Sequence, residues 1–88
     1  MRNLEKAEDW YDGRRPGLGR EFRDAVDAAI ARIADNPLAY PDRYRGARRA
    51  RLRRFPYVLW YRVSETLVLV LACVDGRRDP RMIRARIR

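Results

Sequence analysis

The stretch ARRARLRRFPYVLWYRV, residues 47–63, decides the fold of this chain. Arginines stand at Arg48, Arg49, Arg51, Arg53, Arg54 and Arg62, and aromatics at Phe55, Tyr57, Trp60 and Tyr61. The period is close to two, which is the period of a β-strand. From Ala47 to Arg54, small or apolar residues alternate with arginine. From Tyr57 to Val63, the set Tyr57, Leu59, Tyr61, Val63 alternates with Val58, Trp60, Arg62. Phe55-Pro56 separates the two runs, because proline has no N–H for a strand ladder, so a bend belongs there. Downstream, Leu67–Val74 reads LVLVLACV. It is apolar on both faces, the pattern of a strand in the interior of a sheet. Ser64, Glu65 and Thr66 form the turn between the last two strands.

Upstream the period changes. Leu18, Phe22, Val26, Ala29, Ile30 and Ile33 recur every three or four residues, with Arg20, Glu21, Arg23, Asp24, Asp27 and Arg32 on the other faces. This predicts an amphipathic helix. Asn36-Pro37 ends it, since the residue before proline avoids the helical region. A shorter helix precedes it. Asn3 suits its N-cap, Glu5 its first turn, and Gly13 its end, with Leu4, Ala7, Trp10 and Tyr11 at helical spacing. The segment RRPGLG, residues 14–19, turns the chain between the helices. Residues 38–46 read as a loop. The predicted architecture is α+β: an N-terminal antiparallel helical hairpin on a three-stranded antiparallel meander. Its core is assigned to Trp10, Phe22, Val26, Ile30, Ile33, Trp60, Leu69 and Leu71, with Tyr11 also between helix and sheet.

The 88 residues suit one small domain, with enough hydrophobic content for a core. No apolar run approaches the roughly 20 residues needed to span a bilayer, and the N-terminus does not read as a secretory signal. Cys73 is alone and the chain has no histidine, so neither a disulfide nor a zinc site is expected. A reducing cytoplasm fits, with no cofactor. The formal charge is +9 and unevenly placed. Residues 1–40 hold 7 basic and 8 acidic side chains, whereas residues 41–88 hold 14 and 4. High-GC codon usage explains a preference for arginine over lysine but not this asymmetry. An acidic partner, protein or nucleic acid, explains it better.

Four segments carry a resemblance in the same order and spacing: EDWYDGRRPGLGREF (residues 8–22), NPLAYP (36–41), RRARLRRFPYVLWYRV (48–63) and ACVDGRRDP (72–80). Together they resemble toxins of the RelE/ParE superfamily from bacterial type II toxin–antitoxin, or plasmid stabilisation, systems. The resemblance implies two helices on a small antiparallel sheet, growth inhibition, and neutralisation by an acidic antitoxin from the adjacent gene. It also implies a strand before the first helix, for which residues 1–3 leave no room. The expectation is therefore a three-stranded sheet with an exposed side where a fourth strand would pair. In the RelE-like branch, which cleaves messenger RNA on the ribosome, the implied set is a basic cluster, a second-strand arginine, an arginine after the last strand, and often a C-terminal tyrosine or histidine. Here Arg49, Arg51 and Arg53, with Arg77 or Arg78, match the cationic part. Val58 stands in place of the second-strand arginine, and Asp75 where many relatives carry histidine. Met82, Ile83 and Arg84 occupy the C-terminal positions.

Arginine stabilises a phosphorane but is a poor general base, with a pKa above about 12. The proton-transfer half of a nuclease is therefore missing. RRFPYVLWYRV, PGLG and RRDP are more similar to the ParE-like branch, whose toxins bind DNA gyrase without a catalytic set. The reading adopted is a ParE-like toxin acting by binding. A ribosome-dependent mRNA endonuclease using Arg49, Arg51, Arg53 and Arg78 is the alternative, and a decayed, inactive binding module is a third. The target- or antitoxin-binding residues are assigned as Arg49, Arg51, Arg53, Arg54, Arg77, Arg78 and Arg81, with Arg49, Arg51 and Arg53 on one strand face. Asp79 is expected to pair with an arginine in a turn with Arg78 and Pro80.

Overall fold

A computed structural model describes residues 2–77, with side chains from Leu4 onward. Helix α1 spans Arg2–Arg14 and α2 spans Leu18–Asp35. Four strands follow: β1, Asp42–Tyr44; β2, Ala47–Arg51; β3, Tyr57–Val63; β4, Val68–Asp75. They form one antiparallel meander in the order β1-β2-β3-β4. The helices cover one face, α2 against β2 and α1 against β4.

The fold class is the α+β arrangement read from the sequence, with a fourth strand added. That strand comes from the stretch expected to be a loop. Asp42–Tyr44 reaches β2 through a two-residue connection in which Arg45 (φ 48°) and Gly46 (φ 78°) both have positive φ. This is the backbone twist that a tight hairpin prefers. Asp42 Oδ1 accepts the Gly46 N–H at 3.1 Å and secures it.

Helix α1 already includes Asn3 and runs one residue past Gly13. What turns the chain is Gly17-Leu18-Gly19. Gly17 sits at φ 90°, and a Cβ on Gly19 would lie 2.6 Å from the Glu8 carbonyl oxygen. Asp12 Oδ1 accepts the N–H groups of Gly17 and Gly19 at 3.0 and 3.2 Å. One carboxylate of α1 thus serves the unpaired donors at the start of α2.

The main core lies between helices and sheet. Leu4, Ala7, Phe22, Val26, Ala29 and Ile33 meet Ala50, Leu59, Tyr61 and Cys73. Tyr11, Phe22, Phe55 and Tyr57 stack or meet edge to face, with centroids 4.9 to 6.1 Å apart. The Tyr61 hydroxyl donates to the Pro37 carbonyl at 2.7 Å and ties the end of α2 to the sheet. On the opposite sheet face Ala47, Val58, Trp60, Ala72 and Val74 form a second, smaller cluster, with half-buried Leu71 beside it. Trp60 pairs with Ala72 but Tyr61 with Val70, so Leu71 is the extra residue of a bulge.

Three residues expected in the core are exposed: Trp10 at 55%, Leu69 at 54% and Ile30 at 40%. The helix period explains two of them. Trp10 stands about 100° from Tyr11 and off the inward stripe Leu4-Ala7-Tyr11, and Ile30 stands about 100° from Ala29 and about 60° from Ile33, at the margin of the buried stripe. Leu69 points away from the helices beyond the second cluster, because β4 is an edge strand and not the interior strand its composition suggested.

Candidate functional site

Strand β2 divides its residues between the two sheet faces. Ala50 points to the helices, whereas Ala47 joins the outer cluster, so by alternation Arg49 and Arg51 project on the outer face. Arg49 lies opposite Trp60 and Arg51 opposite Val58. The Arg49 guanidinium carbon sits 5.9 Å from the Trp60 ring centre, in reach of a cation–π contact. Trp60 Nε1 is buried with no hydrogen-bond acceptor among the described residues.

Arg53 does not continue this face. The strand stops at Arg51; Leu52 donates its N–H to the Tyr57 carbonyl at 2.9 Å and buries its side chain, and the chain bulges outward before Phe55 returns to the core. In that bulge Arg54 takes φ 73° and turns toward α2, where its Nη2 lies 2.8 Å from Glu21 Oε1. Glu21 also meets Arg15 at 2.8 Å. The bond from Arg54 does most to lower the Glu21 pKa; desolvation opposes it, and the field of Arg15 adds to the lowering. Arg54 is thereby a structural contact between hairpin and sheet.

Two clefts open beside Arg49 and Arg51. The smaller, about 220 Å³, lies between the β2 face and the end of β4, with Pro56, Tyr57, Val58, Gly76 and Arg77 completing it. The larger, about 440 Å³, lies on the other side of β2 toward the end of α2, with Arg32, Arg43, Arg53, Tyr40, Pro41 and Leu52. The structure therefore brings Arg49, Arg51 and Arg53 to one continuous surface despite the bend. It adds Arg32 and Arg43, which the sequence reading did not select. Arg43 lies in a strand of three residues with no apolar period to announce it, and Arg32 at the end of a helix, so nothing in the sequence ties either to β2.

Cations on this surface differ in how free they are. Arg32 donates to the Arg51 carbonyl at 3.0 Å, and Arg48 to the Tyr40 carbonyl. Arg77 is held by Asp75 through two guanidinium contacts, at 3.1 and 2.8 Å, and its own N–H bonds the same carboxylate at 2.9 Å. That pairing raises the Arg77 pKa and offsets its charge. The guanidinium groups of Arg43, Arg49, Arg51 and Arg53 have neither a hydrogen bond nor an ion pair among the described residues. Repulsion among them is relieved only by water and salt, a standing bias toward an anionic partner. Arg78, Arg81 and the expected Asp79 pairing lie outside the described residues.

Among the described residues that line either cleft, two are tyrosines and none carries a carboxylate, imidazole, amine or thiol. The chain's one thiol, Cys73, is in the core, where burial pushes its pKa to about 12. Tyr11 and Tyr61 are also raised, first by burial. Among the described residues no group of three or more histidine, cysteine or acidic side chains could hold a metal. No helix there is long and apolar enough to cross a membrane.

Residues 1–80 match the family model described as ParE toxin of type II toxin–antitoxin system, parDE. No curated protein and no solved structure matches the chain.

Proposed function

This chain belongs to the ParE toxin family of type II toxin–antitoxin systems, and on that premise we propose that it arrests growth by binding DNA gyrase rather than by cutting RNA. The observation that carries this reading is the chemistry of the two clefts. Their cations, exposed Arg43, Arg51 and Arg53 with half-buried Arg49, can hold an acidic surface in a fixed pattern. General acid–base catalysis needs a group to accept a proton and another to return it, each poised near working pH. Among the described residues the clefts supply guanidinium groups and phenols, and no third kind of proton carrier. Trp60 Nε1, buried beside Arg49, has no acceptor among the described residues, and a buried donor left unmet costs stability.

Membership of the family implies a cognate antitoxin. We place its binding on the same side of the molecule as the free arginines, with the complex in the cytoplasm. Toxicity would then end when the antitoxin's acids cover those cations, and a plasmid carrying both genes would be stabilised.

One observation favours the second reading. Tyr57 lines the smaller cleft together with Arg49, Arg51 and Arg77, so a phenol stands among three guanidiniums. Such a set could hold a phosphorane. Purified protein separates the two. With gyrase and supercoiled plasmid, binding to gyrase predicts trapped double-strand breaks, and a translating extract keeps its messages intact. Messages cut in the extract, with no trapped breaks on the plasmid, would instead establish the nuclease.

A further inference from the structure

Between Pro41 and Val63 the chain carries eight arginines and one acid, Asp42. That carboxylate is engaged in the β1–β2 turn, where it accepts the Gly46 N–H. Glu21 is paired with Arg15 and Arg54, and Asp75 with Arg77. No acid among the described residues is therefore paired with Arg43, Arg49, Arg51 or Arg53. Arg49 and Arg51 stand two residues apart on β2, about 6.8 Å along the strand, and border both clefts. Arg43 and Arg53 carry the row across the larger one. The result is a ridge of cations with a groove on either side.

An arginine fork fits carboxylate and phosphate alike, so charge alone does not choose between a protein and a nucleic acid. Apolar content does. Surfaces that recognise proteins place aromatic or apolar anchors at their centre. The large apolar side chains exposed among the described residues, Trp10, Ile30, Leu38, Leu67 and Leu69, line neither cleft. Trp60, beneath Arg49, is buried. Besides arginine, the exposed lining is Pro41, Pro56 and Gly76. A polar and strongly positive surface of this kind suits nucleic acid. Single strands are held on aromatic rings that stack with their bases. The cleft tyrosines are instead half-buried and turned to the core, Tyr57 against Tyr11 and Phe22 and Tyr40 against Tyr61. With no stacking platform beside the cations, the ligand that fits is a backbone whose bases are already paired.

We propose that the surface of Arg43, Arg49, Arg51 and Arg53 binds the phosphate backbone of duplex DNA. The inference deepens the gyrase reading and rests on it for where the duplex is met: the toxin grips the DNA that gyrase holds. Each guanidinium that reaches a phosphate releases condensed counterions, so the logarithm of affinity falls with the logarithm of salt by about 0.9 per contact. Four contacts contribute a slope of about −3.6, and a fourfold rise in salt then weakens binding roughly 100-fold. An acidic protein surface has no such condensed layer, and salt acts on it only by screening.

The test is fluorescence anisotropy of the purified full chain with a short labelled duplex, its single strand and polyglutamate, over a range of salt. The duplex should bind roughly tenfold tighter than either of the others at low salt. Arg43→Ala with Arg51→Ala and Arg53→Ala removes three exposed side chains outside the core. This variant should keep its Tm within a few degrees and make the salt slope shallower by about 3, and Arg43→Ala alone by about 1. Arg20→Ala, on α2 and in neither cleft, should leave the slope as it is. An unchanged slope in the triple variant would overturn the inference. So would a single strand or polyglutamate bound as tightly as the duplex. Gyrase with supercoiled plasmid keeps the two readings apart. Trapped breaks from a chain that binds no free duplex would overturn this inference and leave the gyrase reading standing. Duplex binding without trapped breaks would uphold the DNA contact and refute the gyrase reading.

Discussion

Gly19→Ala is a small change that the structure makes expensive. The added Cβ would lie 2.6 Å from the Glu8 carbonyl oxygen and 3.1 Å from both Cβ and Oδ1 of Asp12. The first neighbour is helix backbone and cannot rotate away, so α1 and α2 must separate by several tenths of an ångström. Overpacking of this kind costs about 1–3 kcal/mol. Separation also lengthens the bonds from Gly17 and Gly19 to Asp12, a cap worth about 1 kcal/mol. Against this, alanine is favoured over glycine in a helix by up to about 1 kcal/mol. The net is a loss of about 1–3 kcal/mol. At about 4–8 °C per kcal/mol for a domain of this size, Tm falls by about 5–20 °C. Gly13→Ala is the internal control. It is also helical, but its Cβ would meet nothing within 4 Å, so its Tm should rise by a few degrees. Thermal melts followed by circular dichroism, with urea titrations to check the sign at 25 °C, read both. A Gly19→Ala protein as stable as Gly13→Ala would refute the packing argument for the hairpin joint.

Two further outcomes follow from the charges and the core. Glu21, held by Arg54 and Arg15, has a folded pKa below its unfolded value. Its contribution is therefore fully present above the ordinary glutamate pKa and is lost as pH falls through the lower folded value. The Tm difference between wild type and Glu21→Gln should be largest near neutral pH and shrink below about pH 4; a difference constant from pH 7 to pH 3 would contradict the pairing. Cys73, buried with its pKa pushed to about 12, should resist thiol reagents at pH 8 and react promptly in denaturant. Rapid labelling of the native protein would show that the core between α1 and β4 opens readily.

Much of this fold was legible because its periods are clean. The stripe Phe22-Val26-Ala29-Ile33 and the alternation through Tyr57–Val63 each point to one element and one buried face. The misreadings have local causes. β1 holds three residues, two of them charged, so no apolar period announces it; the paired positive φ at Arg45-Gly46 is what makes the hairpin. The sheet order cannot be read from composition, so β4, apolar on both faces, passed for an interior strand. Trp10 was grouped with Leu4, Ala7 and Tyr11 by helical spacing, although its position on the helix is about 100° off the buried stripe. In the site, the arginine alternation at 49 and 51 was visible, and the bend that carries Arg53 off the strand was signalled by Pro56. What pairing spends was not visible. Arg54 is committed to Glu21 and Arg77 to Asp75, whereas Arg43, outside the predicted set, has no such contact among the described residues.

Growth arrest through gyrase makes the arginine surface the source of toxicity in a cell. Inducing the wild-type chain without its antitoxin, and following DNA breaks and protein synthesis in parallel, tests this most directly. Binding to gyrase predicts that double-strand breaks and the damage response precede any fall in translation. Arg49→Glu with Arg51→Glu should abolish both effects while leaving Tm within a few degrees of wild type, since neither side chain takes part in the core. Translation collapsing first, with messages cut and DNA intact, would contradict it.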